Sequence, residues 1–243
     1  MFSQSQSNTP ILQDILTPEH SAFLAQTPPP PEPLNLTPLL ANARKNEPIV
    51  ALTVQHILSP AECLALIARA EHQGYDIALV NTGSGDGVHI PGYRDGQRCI
   101  IDDTHFAAQM WERIKPYLPA KYQGRPVVGL NERMRFLKYG PGDKFEAHMD
   151  GEYRRVDGSG HRTKMTVQLY LNDACEGGAT TFLDEKAMWR VVDGVEQQEL
   201  KVAVAPKVGQ LLVFQHDLVH EGSVVKSGVK YVIRSDVLYG KPE

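Results

Sequence analysis

The chain is short of the features that would commit it to an oxidising compartment, a membrane or a nucleic acid. Only three cysteines, Cys63, Cys99 and Cys175, occur in 243 residues. They form no CxxC and cannot all pair, so they read as reduced thiols, and the cytoplasm is the expected location. No run of about 18 apolar residues is present, which removes a helical membrane span. The opening Met-Phe-Ser-Gln-Ser-Gln-Ser lacks the basic stretch and apolar core of a secretory signal. Basic excess is also missing: 25 Lys and Arg against 29 Asp and Glu leave a net charge of −4. That balance argues against a large electrostatic footprint for nucleic acid. What is present, 42% hydrophobic and 22% charged residues, is the composition of an ordinary soluble globular protein.

Three regions follow from patterning along the chain. Residues 1–47 show little apolar periodicity and include Pro28-Pro-Pro-Pro-Glu-Pro. Such a stretch favours polyproline geometry and reads as a linker or a strap over the surface, with a short helix expected at Ile11–Ile15. Residues 48–130 read as a helical support region. Ile49 to Val54 is strand-like, and Ser59-Pro-Ala-Glu62 is a helix start with a capping box and proline at the first turn. Leu64, Ile67 and Ala68 carry that helix to about His72. A second helix fits His105–Tyr117, with Phe106, Met110, Trp111 and Ile114 on one face.

From residue 131 to 243 the helical period gives way to short strands with turn signals every ten or so residues. Met134 to Tyr139, Met165 to Leu171, Val202 to Ala205, Gln210 to Phe214 and Lys230 to Tyr239 are the predicted strands. Many short strands at this spacing predict a mainly β, α+β fold: a jelly roll with the earlier helices packed on one sheet.

The chemistry concentrates in Phe145-Glu-Ala-His-Met-Asp150. In a strand, residues i and i+2 point to the same side, so His148 and Asp150 can approach one ion together. Two imidazoles and one carboxylate form the facial ligand set of non-haem Fe(II) oxygenases. A third ligand then has to come from a strand distant in sequence, and His220 is the candidate.

The stretch His220-Glu-Gly-Ser-Val-Val-Lys-Ser-Gly-Val-Lys230 follows the pattern H-x-G-x-x-V-x-x-G-x-K. It resembles the prolyl-4-hydroxylase-like 2-oxoglutarate oxygenases, as do Arg135 to Asp150, Thr166 to Asn172 and Gly177 to Phe182. The resemblance spans most of residues 95–239. It implies a double-stranded β-helix in which His148, Asp150 and His220 hold Fe(II) and Lys230 pairs with the distal carboxylate of 2-oxoglutarate. A dicarboxylate chelated at one end needs a buried cation at the other. Tyr139 and Tyr170 are implied cosubstrate contacts, although tyrosines in strands are also common core residues. Arg234, on the same strand face as Lys230, is the runner-up cation, a substrate-carboxylate binder, or a partner for Asp236. His216 with Lys226 repeats the ten-residue spacing, but Gly222 and Gly228 fit the pattern counted from His220.

The resemblance further implies oxidative decarboxylation of 2-oxoglutarate with O2 to succinate and CO2, coupled to hydroxylation of a C–H bond. Ascorbate is a candidate additional cofactor on the same ground. The expected substrate is peptidyl, of prolyl type; oxidation of a small molecule or free amino acid is the alternative, and a non-catalytic metal sensor a third. Asp86 to Arg98 is a loop-like stretch suited to substrate contacts, and Gly151 to Arg162 is expected to be a mobile loop closing over substrate. No nucleic-acid or membrane partner is expected, and the oligomeric state is open.

Overall fold

The computed structural model describes residues 32–34, 49–81, 87–184 and 201–242. Strand β1 (Glu32–Pro33) pairs with the edge of β2 (Ala51–Val54), so part of the proline-rich stretch is tied to the sheet. Proline lacks an N–H to donate and is tolerated on such an edge. The expected helix at 11–15 lies outside the described residues.

Helix α1 runs Pro60–Gln73. Its capping box forms as the sequence requires: Glu62 N–H donates to Ser59 Oγ at 3.2 Å, and Ser59 N–H donates to the Glu62 carboxylate at 2.7 Å. After the short strands β3 (Asp76–Ile77), β4 (Val80–Asn81) and β5 (Gly87–Val88) comes β6 (Gln97–Asp102), then helix α2 (Thr104–Ile114). The helix expected through Tyr117 ends at Ile114, and Lys115–Tyr117 is a single 3₁₀ turn. Pro116 explains the change, since it has no N–H for the next helical bond. The two helices are joined by a bidentate pair from Arg113 to Glu62, a carboxylate only 1% exposed.

The remaining strands are β7 (Lys121–Tyr122), β8 (Arg125–Leu130), β9 (Arg133–Tyr139), β10 (Phe145–His148), β11 (Arg162–Tyr170), β12 (Cys175–Gly177), β13 (Thr180–Leu183), β14 (Lys201–Val204), β15 (Leu211–Gln215), β16 (His220–Gly222), β17 (Val225–Gly228) and β18 (Lys230–Tyr239). The large sheet runs β1-β2-β15-β11-β18-β9-β6-β3, and the small one β10-β16-β13-β14. Both sheets are antiparallel throughout. The mainly β, jelly-roll expectation therefore holds.

Strand period places the two cores. On β11, Met165, Val167 and Leu169 join α1 residues Cys63, Leu66 and Ala70 and α2 residues Phe106, Met110 and Ile114 in one apolar cluster. The alternate positions Thr166, Gln168 and Tyr170 face the other way, as do Lys230, Val232, Arg234 and Asp236 on β18. There a second cluster of Leu137, Tyr139, Tyr170, Phe182, Phe214 and Val232 fills one end of the space between the sheets. Each such large side chain contributes about 1.5–3 kcal/mol by leaving water. The polar positions of the same strands are left to line a cavity.

Candidate metal and cosubstrate site

Strands β10 and β16 are antiparallel neighbours in which His148 lies directly opposite His220. Pairing thus brings together two imidazoles separated by 72 positions, with ring centroids 4.3 Å apart. Asp150 lies two residues on, past the end of β10. Strand alternation therefore does not fix its carboxylate. Asp150 N–H donates to His216 C=O at 2.9 Å, Thr166 Oγ1 donates to its Oδ2, and Arg234 Nη2 lies 3.0 Å from Oδ1.

One ligand atom from each of His148, Asp150 and His220 lies within 4.8 Å of the others. Nδ1 of His148 is 2.7 Å from Glu146 C=O, and Nδ1 of His220 is 2.9 Å from Leu218 C=O. A carbonyl only accepts, so each Nδ1 carries the proton and each Nε2 lone pair is left toward the carboxylate. Burial and the neighbouring His220 push the His148 pKa down to about 3, and burial also lowers that of His220. Burial alone would raise the Asp150 pKa, but Arg234 and the two imidazoles hold it well below the carboxylate range. At neutral pH the three groups are two neutral imidazoles and one carboxylate, the protonation state a divalent cation requires. The donor set, the tautomers and the charges fit Fe(II).

The cavity beside these groups is lined by Arg94, Leu137, Tyr139, Gln168, Thr180, Lys230, Val232 and Arg234, among others. Lys230 is 4% exposed and its ammonium sits 5.4 Å and 5.6 Å from the ring centroids of Tyr139 and Tyr170. No carboxylate lies within ion-pair distance of it among the described residues, and burial lowers its pKa to about 8. Arg234 differs: its Nη2 is shared between Asp150 at 3.0 Å and Asp236 at 3.1 Å. Tyr139 lines the cavity, whereas Tyr170 lies beneath it and donates to Thr180 Oγ1 at 2.7 Å. Thr180 in turn donates to Gln168 Oε1 at 2.8 Å, a polar chain along the cavity wall.

His216 stands 3.4 Å from Asp236, and its carbonyl holds the Asp150 backbone. Lys226 is exposed and pairs with Glu176 on the neighbouring strand β12. The glycine pattern has a steric origin at Gly228: its φ is +74°, and a Cβ there would lie 2.2 Å from Ala174 C=O. Gly177, with φ +79°, is held against Val224 C=O in the same way. Residues 151–161 follow Asp150 and are braced by Arg155 on Glu132 and by Glu152 with Lys164 and Arg162.

Two residues of the site do not stand out in the sequence. Thr166, which donates to Asp150, falls within the Thr166 to Asn172 stretch, and Arg94, at the cavity wall, within Asp86 to Arg98. Neither is marked out within its stretch; both reach the site through pairing that local patterns do not display.

Residues 134–235 match the family model of the 2OG-Fe(II) oxygenase superfamily. No curated protein sequence matches the chain. Among solved structures, a Pseudomonas putida prolyl-4-hydroxylase aligns over 83% of this chain and 97% of its own, at 20% identity and TM-score 0.51. A prolyl hydroxylase from Trichoplax adhaerens, solved with a hypoxia inducible factor peptide fragment, covers 83% and 88% at 15% identity and TM-score 0.56. The viral collagen prolyl hydroxylase of Paramecium Bursaria Chlorella virus-1, in its 2OG complex, covers 77% and 95% at 21% identity and TM-score 0.51. Such identities establish a shared fold, and the matched segment contains all three convergent ligands and the lysine. Residues 134–235 therefore resemble a 2OG-Fe(II) oxygenase domain, and the ligand set within them supports a 2-oxoglutarate-dependent dioxygenase.

Proposed function

We propose that the chain hydroxylates a C–H bond of a prolyl-type peptidyl residue, releasing succinate and CO2. The observation that carries the cosubstrate assignment is Lys230: a buried ammonium without a carboxylate partner among the described residues, in the same cavity as His148, Asp150 and His220. A buried charge without a partner is costly, and a dicarboxylate reaching down from the metal ligands supplies one. In this reading Lys230 and Tyr139 hold the distal carboxylate, and Thr180 and Gln168 line its path. His148, Asp150 and His220 hold Fe(II), which with 2-oxoglutarate and O2 supplies the oxidising chemistry when bound. The cavity walls Leu137 and Val232 exclude water from the chain of the cosubstrate.

The peptidyl substrate is supported by the fold shared with the Trichoplax protein, which was solved with a peptide. A small acidic substrate, such as a free amino acid, is the second reading, favoured by Arg94 at the cavity wall. Among the described residues no helix is long and apolar enough to cross a membrane. The three cysteines are free thiols, which supports a reducing, cytoplasmic setting. The test is succinate release with Fe(II), ascorbate and 2-oxoglutarate, against proline-containing peptides and free amino acids. His148→Ala is expected to abolish it; full succinate production by that variant refutes the assignment.

A further inference from the structure

Arg94 enters the site from outside the matched domain. It sits after the bend Ile90 to Tyr93 and is bridged to Phe145 at the start of β10. Asp95 N–H donates to Lys144 C=O and Glu146 N–H to Tyr93 C=O, both within 2.9 Å, so this segment is stitched to the metal-ligand strand. The Arg94 guanidinium carbon lies 4.4 Å from the Phe145 ring centroid. Phe145 stacks on His148 at 3.7 Å with an interplanar angle of 21°. Guanidinium, phenyl and imidazole form one pile that ends on a candidate metal ligand.

The guanidinium has five N–H donors. One goes to Leu79 C=O at 3.0 Å and another to the Tyr139 hydroxyl. Nε is buried and has no partner among the described residues. Among the described residues no carboxylate lies within ion-pair distance of Arg94, in contrast to Arg133, Arg135 and Arg234, each paired to an aspartate. A stacked, shielded guanidinium with spare donors is built to receive a planar anion.

Charge within the cavity says which anion. Its walls carry three cations, Arg94, Lys230 and Arg234, and two carboxylates, Asp150 and Glu221. Fe(II) adds two positive charges and 2-oxoglutarate two negative ones, leaving one positive charge uncompensated. A carboxylate cancels it; a phosphate monoester, at nearly two negative charges, exceeds it.

We propose that Arg94 anchors a carboxylate of the primary substrate, so that the substrate presents a free acid close to the carbon that is hydroxylated. The inference rests on Lys230 serving 2-oxoglutarate. It selects a free amino acid, a C-terminal residue or an acidic side chain over an internal neutral peptide segment.

The test uses the full chain loaded with Mn(II) and saturating 2-oxoglutarate, without turnover. The probes are N-acetyl-L-proline and acetate, each against its neutral amide at constant ionic strength. Paramagnetic relaxation of the probe protons reads binding near the metal. The acids are expected to bind at least tenfold more tightly than the amides. Arg94→Gln, which keeps a donor for Leu79, is expected to lose that preference, and Arg94→Lys, which keeps the charge, to retain part of it. Amides that equal the acids, or a preference that survives in Arg94→Gln, overturn the proposal. Binding of 2-oxoglutarate itself, followed by calorimetry on the Mn(II) protein, is a separate readout. If it fails, the cosubstrate reading falls, while the acid-over-amide comparison still decides the role of Arg94.

Discussion

Arg234 Nη2 lies 3.0 Å from Asp150 Oδ1, so an arginine on the long strand β18 fixes a carboxylate that has already left its own strand. The same nitrogen is 3.1 Å from Asp236, and Arg135 closes the group from β9 at 3.0 Å. Two buried carboxylates and two guanidinium groups therefore hold each other in place beside the histidines. The arrangement sets the direction of Asp150 before any ion arrives.

Arg234→Met removes the shared cation and leaves Asp236 buried with Arg135 as its remaining arginine. Stranding part of a buried ionic group costs about 3–5 kcal/mol. Urea unfolding of the metal-free protein should show that loss, and a change within 1 kcal/mol would mean the pairing is dispensable.

Thr166→Val keeps shape and deletes the hydroxyl that donates to Asp150, at a residue with no exposure. Removing a group that orients a ligand lowers metal affinity roughly 10–100-fold. Titration with Mn(II) measures this directly; an affinity within twofold of the parent would show that Arg234 alone positions the carboxylate.

Lys230 gives a pH dependence of definite sign. Burial lowers its pKa in the folded, cosubstrate-free protein from 10.5 to about 8. Between those values the unfolded chain binds more protons than the folded one, so stability rises with pH across that window, by about 3 kcal/mol. Below pH 8 the penalty of the buried charge is fully present. Lys230→Met should flatten this part of the stability curve. Affinity for 2-oxoglutarate should fall as pH climbs above 8, because the ammonium that pairs with it is lost, and an affinity constant to pH 10 would point to a different cation.

Gly96 packs against Tyr139 with φ +97°, and a Cβ there would lie 2.7 Å from the ring and 3.0 Å from Lys138 C=O. Gly96→Ala combines backbone strain with a push on the tyrosine. The expected cost is about 1–3 kcal/mol of stability. With Tyr139 displaced, the KM for 2-oxoglutarate should rise more than kcat falls; an unchanged KM would remove Tyr139 from the cosubstrate contact.

Much of this was legible before the fold was seen. The capping box at Ser59 and Glu62 appears as written, since it depends on neighbours three residues apart. Strand β18 runs from Lys230 to Tyr239 as expected, because its alternation is strong and Gly228 stops the preceding strand. His148 and Asp150 stand out by their spacing, whereas His220 and Lys230 follow from the resemblance of the stretch from His220 to Lys230 to the family pattern. Pro116 was visible but read through, and it cut the second helix short. Asp150 meets the two histidines past the end of β10, so Thr166 and Arg234 place its carboxylate where strand alternation does not. Thr166 and Arg94 do not stand out in the sequence, because what each one touches is set by pairing between strands and not by its own neighbours.

The sequence by itself determined the longer strands and the starts of both helices, which of their faces are apolar, and which residue types could hold a divalent cation. These follow from periods of two and 3.6 and from short spacings, interactions that reach only a few residues along the chain. Tertiary structure alone decided that β10 pairs with β16 in the register that sets His148 opposite His220. It also decided that Arg234 meets Asp150 and that Arg94 stacks over Phe145. Those contacts join residues 50 to 85 positions apart, and they exist only because the packing of two apolar clusters fixes how the sheets face each other.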